Sequence, residues 1–598
     1  MKLSNLSLIT SLLLGSSTLS ALEFGQMGNI SAGIGGAGVA LKNSQWALYY
    51  NPALLAMNKK SGFAYSFGLG YKETNLSRAA SVDIDNLQNM PDKLANLFSS
   101  AATIQTGTTR QFRAAGTAAS SKSLDTGNLG VFGEVLNGML NKPDGQQATD
   151  DDLKNYLQQV ADKNGVSVGG GTGGGGQTTE QILEELQKHP GAFEDIKHDL
   201  QESIKDTAQK HPDQSGSLGL LEGLVDGLTP ENIGGLLDSA QKGDMSLDNL
   251  LQSMGGFTLK TSSDPSLNRF VKDMTTLNEM INKNDFSLST QNGVVINIGS
   301  KKARGTISFG LMPSAYMSAT ARIDPTHNQI IIQNGNSELK VEFGDGNIIL
   351  GTAGKGDFDK HSVLSNQAKH QLSAGSVGVV EVPLGYGHLF ETPLGDIAVG
   401  LAAKYIFGTG YLYHKEGDFN SISQNITPTF DGIAQTHTFG IDAGLAYSPR
   451  FAKNLTLGFV AKNLNMPKIK TDVKSGAMTR LNTQLRAGVS YGWLNDKIVL
   501  AGDIDLMPND TISLARPKSQ VAGGGVLIDL KYFDLRLGAM YDFRNNSDEG
   551  MILTGGINLL GFLDIAVQSN LHLSQEIAGS GISVPSYLLV KVGGGFSW

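Results

Sequence analysis

Near the C-terminal end of this chain Leu588, Val590, Val592, Gly594, Phe596 and Trp598 occupy every second position, with Tyr587, Lys591, Gly593, Gly595 and Ser597 between them. Successive side chains of a strand point to opposite faces, so this spacing gives one apolar surface and one small or polar surface. A wall that meets lipid on one side and a polar lumen on the other requires that division. The segment predicts a wall strand of a transmembrane β-barrel, with its closing aromatic residue at the membrane interface.

The other end reads as an export signal. Lys2 is its positive start, Leu6 to Leu14 its apolar stretch, and Thr18-Leu19-Ser20-Ala21 its small-residue end. The apolar stretch is too short for a spanning helix, and no run of about 20 apolar residues occurs elsewhere. The 598 residues include no cysteine, which excludes thiol chemistry and thiolate metal sites and suits export to an oxidising compartment. A net charge of -9 supplies no field that would draw in nucleic acid, so no such partner is expected.

Alternation recurs along the chain. Ile397, Val399, Leu401, Ala403, Tyr405 and Phe407 interleave with Asp396, Ala398, Gly400, Ala402 and Lys404, and Phe63, Tyr65, Phe67, Leu69 and Tyr71 interleave with small residues. Stretches of this kind cover 62–72, 293–299, 304–320, 372–383, 395–409, 435–449, 453–462, 481–492, 496–507, 519–530, 533–542, 551–559, 562–571 and 586–598. They predict an all-β transmembrane barrel of about fourteen antiparallel strands, an even number as bacterial barrels have. Connections after the first, third, fifth and seventh strands are long. Those between, such as Lys301-Lys302-Ala303, are short, although 384–394 is intermediate. Long loops outside and short turns inside are the asymmetry of such barrels.

The division along the chain is a signal at 1–21, a lumen hatch at 22–61, a first strand at 62–72, a helical, Gly-rich insertion at 73–292, and the remaining strands at 293–598. Helical spacing in the insertion is carried by Leu153, Tyr156, Leu157 and Val160, and by Leu267, Phe270, Val271, Met274, Leu277 and Ile281. Gly169 to Gly176 is a flexible tract by composition. A small, partly disordered helical subdomain on the extracellular side is expected, since the many Asp, Gln, Lys and Asn residues resist a large core.

Gly33-Ile34-Gly35-Gly36-Ala37-Gly38 formally matches a dinucleotide fingerprint, but it lacks the strand before it and carries Lys59-Lys60 where an acid belongs. Tight backbone packing is the better use of these glycines. Lumen-facing charges are Lys404, Asp442, Lys462, Arg486, Asp503, Asp505, Asp534, Arg536 and Lys591. Mixed signs favour a cross-linked interior gripping a plug over an ion-selective pore. Asp503 and Asp505 read as ladder partners of Arg486 and Arg536, ahead of an acid/base pair or a cation site. The ten histidines are scattered, and no nucleophile motif stands out. No catalytic, cofactor-binding or metal residues are assigned, and no enzyme activity is expected.

The block GIGGAGVALKNSQWALYYNPALLA closely resembles the N-terminal hatch of FadL-like long-chain fatty-acid transporters, and still more that of conjugal-transfer TraF-type outer-membrane proteins. Glu381-Val382-Pro383-Leu384-Gly385-Tyr386-Gly387-His388, Leu457 to Leu464, Gly502 to Leu506 and Leu535 to Ala539 fit the latter. The resemblance spans 24–72 and 293–598. The unrelated thioredoxin-like protein of the same name is a different matter, and the absence of cysteine argues against it. Read physically, Asn51-Pro52 is a turn or helix-start signal and Trp46, Tyr49 and Tyr50 are packing aromatics. The resemblance implies a fourteen-stranded barrel plugged by its hatch, with the motif Asn51, Pro52 and Ala53. The ending at Phe596 and Trp598 resembles the signal read by the barrel-assembly machinery. The resemblance also implies a place in the lipid of a Gram-negative outer membrane and passage of a hydrophobic ligand. The alternative is a non-transporting anchor for components of a conjugation or secretion apparatus.

Overall fold

In a computed structural model of the protein, the residues described are 24–598 except 59, most of 77–128, 144, 169–177, 242–246, 260–264, 300–304, 335–336, 345–346, 424–432, 474–475, 514, 531–532, 546–549, 560–562, 572 and 577–582. The signal at 1–21, the Gly169–Gly176 tract and Lys301-Lys302-Ala303 lie outside the described residues.

Strands one to fourteen of the wall are Gly62–Thr74, 285–298, Gly305–Arg322, His370–Thr392, Gly395–Gly417, Ala434–Pro449, Leu455–Lys462, Gln484–Trp493, Ile498–Asp505, Val521–Asp529, Phe533–Asp542, Met551–Leu559, Leu563–Asn570 and Tyr587–Ser597. Strand two is two segments, Asp285–Gln291 and Gly293–Ile298, that keep one register against strands one and three. Every neighbour is antiparallel, and strand one closes the sheet on strand fourteen from Gly62 opposite Ser597 to Lys72 opposite Tyr587. Closure removes both edges, so every wall strand has a neighbour on each side, as a chain in lipid requires.

The alternation has the predicted faces: Leu401 is 63%, Phe596 64% and Trp598 66% exposed, whereas Lys591 and Arg536 are 0% exposed. No described helix is long and apolar enough to cross a membrane. Connections after odd-numbered strands are all longer than those after even-numbered ones. The region 384–394 resolves into strand four running on to Thr392 and a turn at Pro393-Leu394.

Strands two, four and five reach further than their alternation shows. Strand two begins at Asp285 rather than 293, and strand five continues to Gly417 rather than 409. In the outer half of strand two Phe286 and Leu288 do alternate with the inward-facing Ser287 and Ser289. Thr290 and Asn292 then interrupt the apolar series before Val294 and Ile296, so the run is too short to read as one strand.

Two long connections build one outer domain. The first contributes the helices Gly130–Met139, Asp150–Lys163, Thr179–Leu186, Pro190–Lys210, Ser215–Asp226, Ile233–Gln241, Leu247–Met254 and Pro265–Asn282, and the strand Phe257–Leu259. Thr149 with Asp152, and Thr178 with Gln181, form capping boxes that start two of these helices. The second connection supplies Ile330–Asn334, Ser337–Gly344 and Asn347–Thr352, which extend the short strand into a four-stranded sheet. Helices and sheet share one core, joining Leu157, Leu200, Phe270 and Leu277 to Ile332, Leu339, Ile348 and Leu350. Against the expected small subdomain, the apolar faces meet a sheet drawn from a distant loop and form a large core.

That partnership shapes an excision experiment. Replacing 75–284 alone by a short linker should leave Ile330, Ile332, Leu339, Val341, Ile348 and Leu350 without their helices. Six aliphatic side chains at about 1.5–3 kcal/mol each make a loss on the order of 10 kcal/mol, so this protein should aggregate. Removing 323–369 as well should restore a folded, heat-modifiable barrel. Equal folding of both excisions would show that the shared core is not needed.

Candidate functional site: a seated hatch and the chamber above it

Residues 24–61 cross the lumen as a plug with three short helices, Asn29–Gly33, Ala47–Tyr50 and Leu54–Met57. Asn51 is its central tie. Its side-chain amide donates to the carbonyls of Val39 (2.9 Å), within the hatch, and Leu445 (3.0 Å), in the wall, while its Oδ1 accepts from the Ala53 N–H (3.1 Å). Pro52 and Ala53 rest on glycine. Gly387, Gly400 and Gly444 stand side by side in register on strands four, five and six. A Cβ on Gly400 would lie 2.2 Å from Pro52 C, and one on Gly444 1.9 Å from Asn51 Oδ1. The Gly35 turn, with φ of 68°, is seated likewise against Gly524 and Ala539 of strands ten and eleven. Only residues without Cβ allow two backbones to come this close.

Trp46 and Tyr50 are buried, and the Trp46 ring fills the space beside Gly28 and Gly293. Tyr49 donates its hydroxyl to the Gly25 carbonyl (3.0 Å) and meets Tyr50 edge to face with centroids 5.2 Å apart. Two wall cations cover this aromatic group: Lys462 Nζ lies 3.4 Å from the Tyr49 centroid, and the Arg486 guanidinium carbon 4.0 Å from that of Phe24. Such contacts are worth about 2 kcal/mol when desolvated.

Wall charges follow a rule set by register: four of them face a glycine on the adjacent strand. Lys404 faces Gly440, Asp503 faces Gly488, Arg536 faces Gly556, and Lys591 faces Gly68. Each charged side chain can thus lie over a bare backbone and leave the lumen to the plug. Lys404 pairs with Glu381 (2.9 Å) and Asp442 (3.1 Å), and Lys591 reaches across strand one to the Gln291 carbonyl (2.9 Å).

Arg486 pairs with Asp505 directly opposite (2.7 Å). The expected partnership of Arg536 with the Asp503–Asp505 pair does not form. Arg536 instead bonds Asp564 on strand thirteen and Asp534 (3.3 Å), because Gly556 lets the guanidinium pass over strand twelve. Asp503 holds the hatch: its Oδ2 accepts the N–H groups of Gly38 (2.8 Å) and Val39 (3.0 Å). Hydrogen bonds to a charged group contribute about 1.5–3 kcal/mol each. Asp503→Ala should therefore speed hydrogen exchange at the Gly38 and Val39 amides by more than tenfold in a barrel that still folds. Unchanged exchange would remove Asp503 from the seat.

Two outer connections fold inward, which sequence reading missed. The hairpin Lys468–Lys470 with Met478–Arg480 sets Ile469 over Gly408, and the loop 506–520 sets Ile512 against Val377, Val379 and Ile406. The inward-facing Val377, Val379 and Ile406 are its only advance signal, being apolar where a polar lumen is expected. Between this roof and the hatch lies a cavity of about 120 Å³. Phe24, Gln26 and Gly35 form its floor, Arg486, Asp505 and Tyr316 its walls, and Ile512, Ser513 and Arg516 its roof. Ligand sites commonly measure about 300–1,000 Å³, so anything beyond a small group requires floor or roof to move. Among the described residues no cluster of histidines and carboxylates could hold a metal ion.

Wall, plug and roof define a class: a closed, internally plugged fourteen-strand barrel of the outer-membrane type. Within it the chain belongs to the TraF family, whose model, described as "F plasmid transfer operon, TraF, protein", matches residues 191–505, more than half of the sequence. That span takes in the later helices of the outer domain, which the resemblance at 24–72 and 293–598 leaves out. Among solved structures, a Pseudomonas aeruginosa FadL homologue matches at 9% identity over 97% of this chain and 98% of its own, with a TM-score of 0.27. A Rh. blastica porin mutant matches at 10% identity over 52% and 91%, with a TM-score of 0.19. The siderophore receptor PiuA from Acinetobacter baumannii matches at 8% identity over 52% and 65%, with a TM-score of 0.21. No curated protein matches the chain.

Proposed function

We propose that this protein resides in the outer membrane of a Gram-negative bacterium and admits hydrophobic small molecules through a hatch-gated lumen. The observation that carries the reading is that the hatch adds no strand to the wall, which closes on itself without it. Displacing the plug therefore breaks none of the strand-to-strand hydrogen bonds that close the wall, only side-chain ties such as those of Asn51 and Asp503. The chamber offers Tyr316, Ile512, Met540 and Leu589 beside Arg486 and Arg516, which suits a molecule with an apolar body and a polar head. Proteoliposomes should take up fatty acids or other hydrophobes saturably. Uptake no faster than in protein-free vesicles would end this reading.

A second reading has its own support. The outer domain has a core independent of the lumen, and the family's description points to plasmid transfer. A barrel that displays this domain to conjugation or secretion components would lose partner contact, but not folding, when both outer connections are excised together. We assign no enzymatic role, and labelling by a serine-hydrolase probe would overturn that.

A further inference from the structure

The loop between strands nine and ten does not stay on its own rim. Its strands lie half-way round the wall from strands two and three, and its tip crosses the lumen to the opposite side. There Ser513 Oγ stands 3.0 Å from both carboxylate oxygens of Asp285. Arg516 donates from Nη2 to Thr74 Oγ1, its Nε lies 3.7 Å from Asp285, and its N–H donates to Ser513 Oγ (2.9 Å). The Asp285 side chain is wholly buried.

The landing place is particular. Thr74 is the last residue of strand one and Asp285 the first of strand two, so the first connection of the outer domain hangs between them. Asn75 braces the same spot by donating to the Lys283 carbonyl (3.0 Å). The roof of the chamber is thus fastened to two of the four points at which the outer domain joins the wall, the other two being Arg322 and His370, and not to a neutral stretch of wall.

We propose that Asp285, Ser513 and Arg516 form a latch through which the outer domain controls the roof of the chamber. A tilt of the domain, driven by whatever engages it from outside, draws Thr74 and Asp285 away from the loop tip and frees the loop to swing back toward strands nine and ten. The inference rests on the reading of the chamber as a passage, but it can be tested without transport.

The chain has no cysteine, so Ser289→Cys places a single thiol on the chamber lining. The rate at which a membrane-impermeant maleimide added to intact cells labels this thiol reports how open the roof is. Asp285→Ala and, separately, Ser513→Ala should speed labelling about tenfold or more, the factor expected from losing one hydrogen bond to a charged group. Heat-modifiable migration confirms folding, and Ser513→Ala decides alone if Asp285→Ala does not assemble. Coupling is reciprocal, so Ser513→Ala should also speed hydrogen exchange at the Asn284 and Asp285 amides, far away in sequence. Native labelling rates in folded variants would overturn the latch, and unchanged exchange at 284–285 would overturn its link to the outer domain. Faster labelling in a protein that shows no uptake would keep the latch and discard the passage.

Discussion

Gly400→Val should turn a closed barrel into an open channel while the wall stays folded. The added Cβ would stand 2.2 Å from Pro52 C and 2.3 Å from Ala53 N. Both are backbone atoms, so no rotamer change relieves the clash. Overpacking of this kind costs about 1–3 kcal/mol at one position, and here either the wall or the plug must yield. The wall is held by the full ladders of strand five with strands four and six, from Gly395 to Gly417 and from Gly395 to Gly410. The hatch at this point is held by the Asn51 side chain and by contact, so the hatch yields. Planar-bilayer recordings should show a stable conductance absent from the parent, and a large hydrophilic antibiotic should enter cells that carry the variant. Gly555→Ala is the control, because its Cβ would find its nearest neighbour at 3.7 Å. A Gly400→Val barrel that stays closed even when Ser513→Ala frees the roof would mean that the hatch is not seated on these glycines.

Arg536→Ala should be the most destabilising single change in the wall. The guanidinium is 0% exposed and divides its donors between Asp564 and Asp534, and its aliphatic stem supports Gly33 of the first hatch helix. Removing it leaves two carboxylates in the lumen wall without their cation, a loss of about 3–5 kcal/mol for a broken buried pair. The urea midpoint of the folded barrel should fall accordingly, and the hatch around Asn29–Gly33 should become open to protease. Adding Asp564→Asn should recover part of the loss, because one stranded charge is then gone. Arg536→Lys should recover little, since a single ammonium cannot span both acids as a planar fork does. A change below about 1 kcal/mol, the size of an exposed ion pair, would show that the network is not structural.

Much of the wall was legible in the sequence because lipid imposes a period of two on any strand that crosses it. Phe63 to Tyr71, Ile397 to Phe407 and Leu588 to Trp598 carry that imprint residue by residue. The imprint fades where lipid stops, so the upper part of strand five pairs in space without a clean alternation. In the outer half of strand two the brief alternation of Phe286 and Leu288 with Ser287 and Ser289 is cut off at Thr290 and Asn292. In the lumen the sequence showed which residues face inward but not whom they meet. Arg486 and Asp505 are opposite each other on adjacent strands, so register alone joins them. Arg536 and Asp564 are separated by a whole strand and meet only because Gly556 leaves the way open.

By itself, then, the sequence determined a barrel with a lipid-facing and a lumen-facing surface, because those properties come from one-dimensional spacing. The Asn51-Pro52-Ala53 segment was marked as part of a hatch by its resemblance to a family and not by any spacing of its own. The tertiary structure alone decided where the hatch sits, that the helices of one loop share a core with the strands of another, and that the loop after strand nine crosses the lumen to the base of the outer domain. Gly400 with Pro52, Leu277 with Ile348, and Ser513 with Asp285 each come from parts of the chain that no local period connects. Their closeness follows from closing fourteen strands into a ring, which brings opposite walls within reach of a single loop.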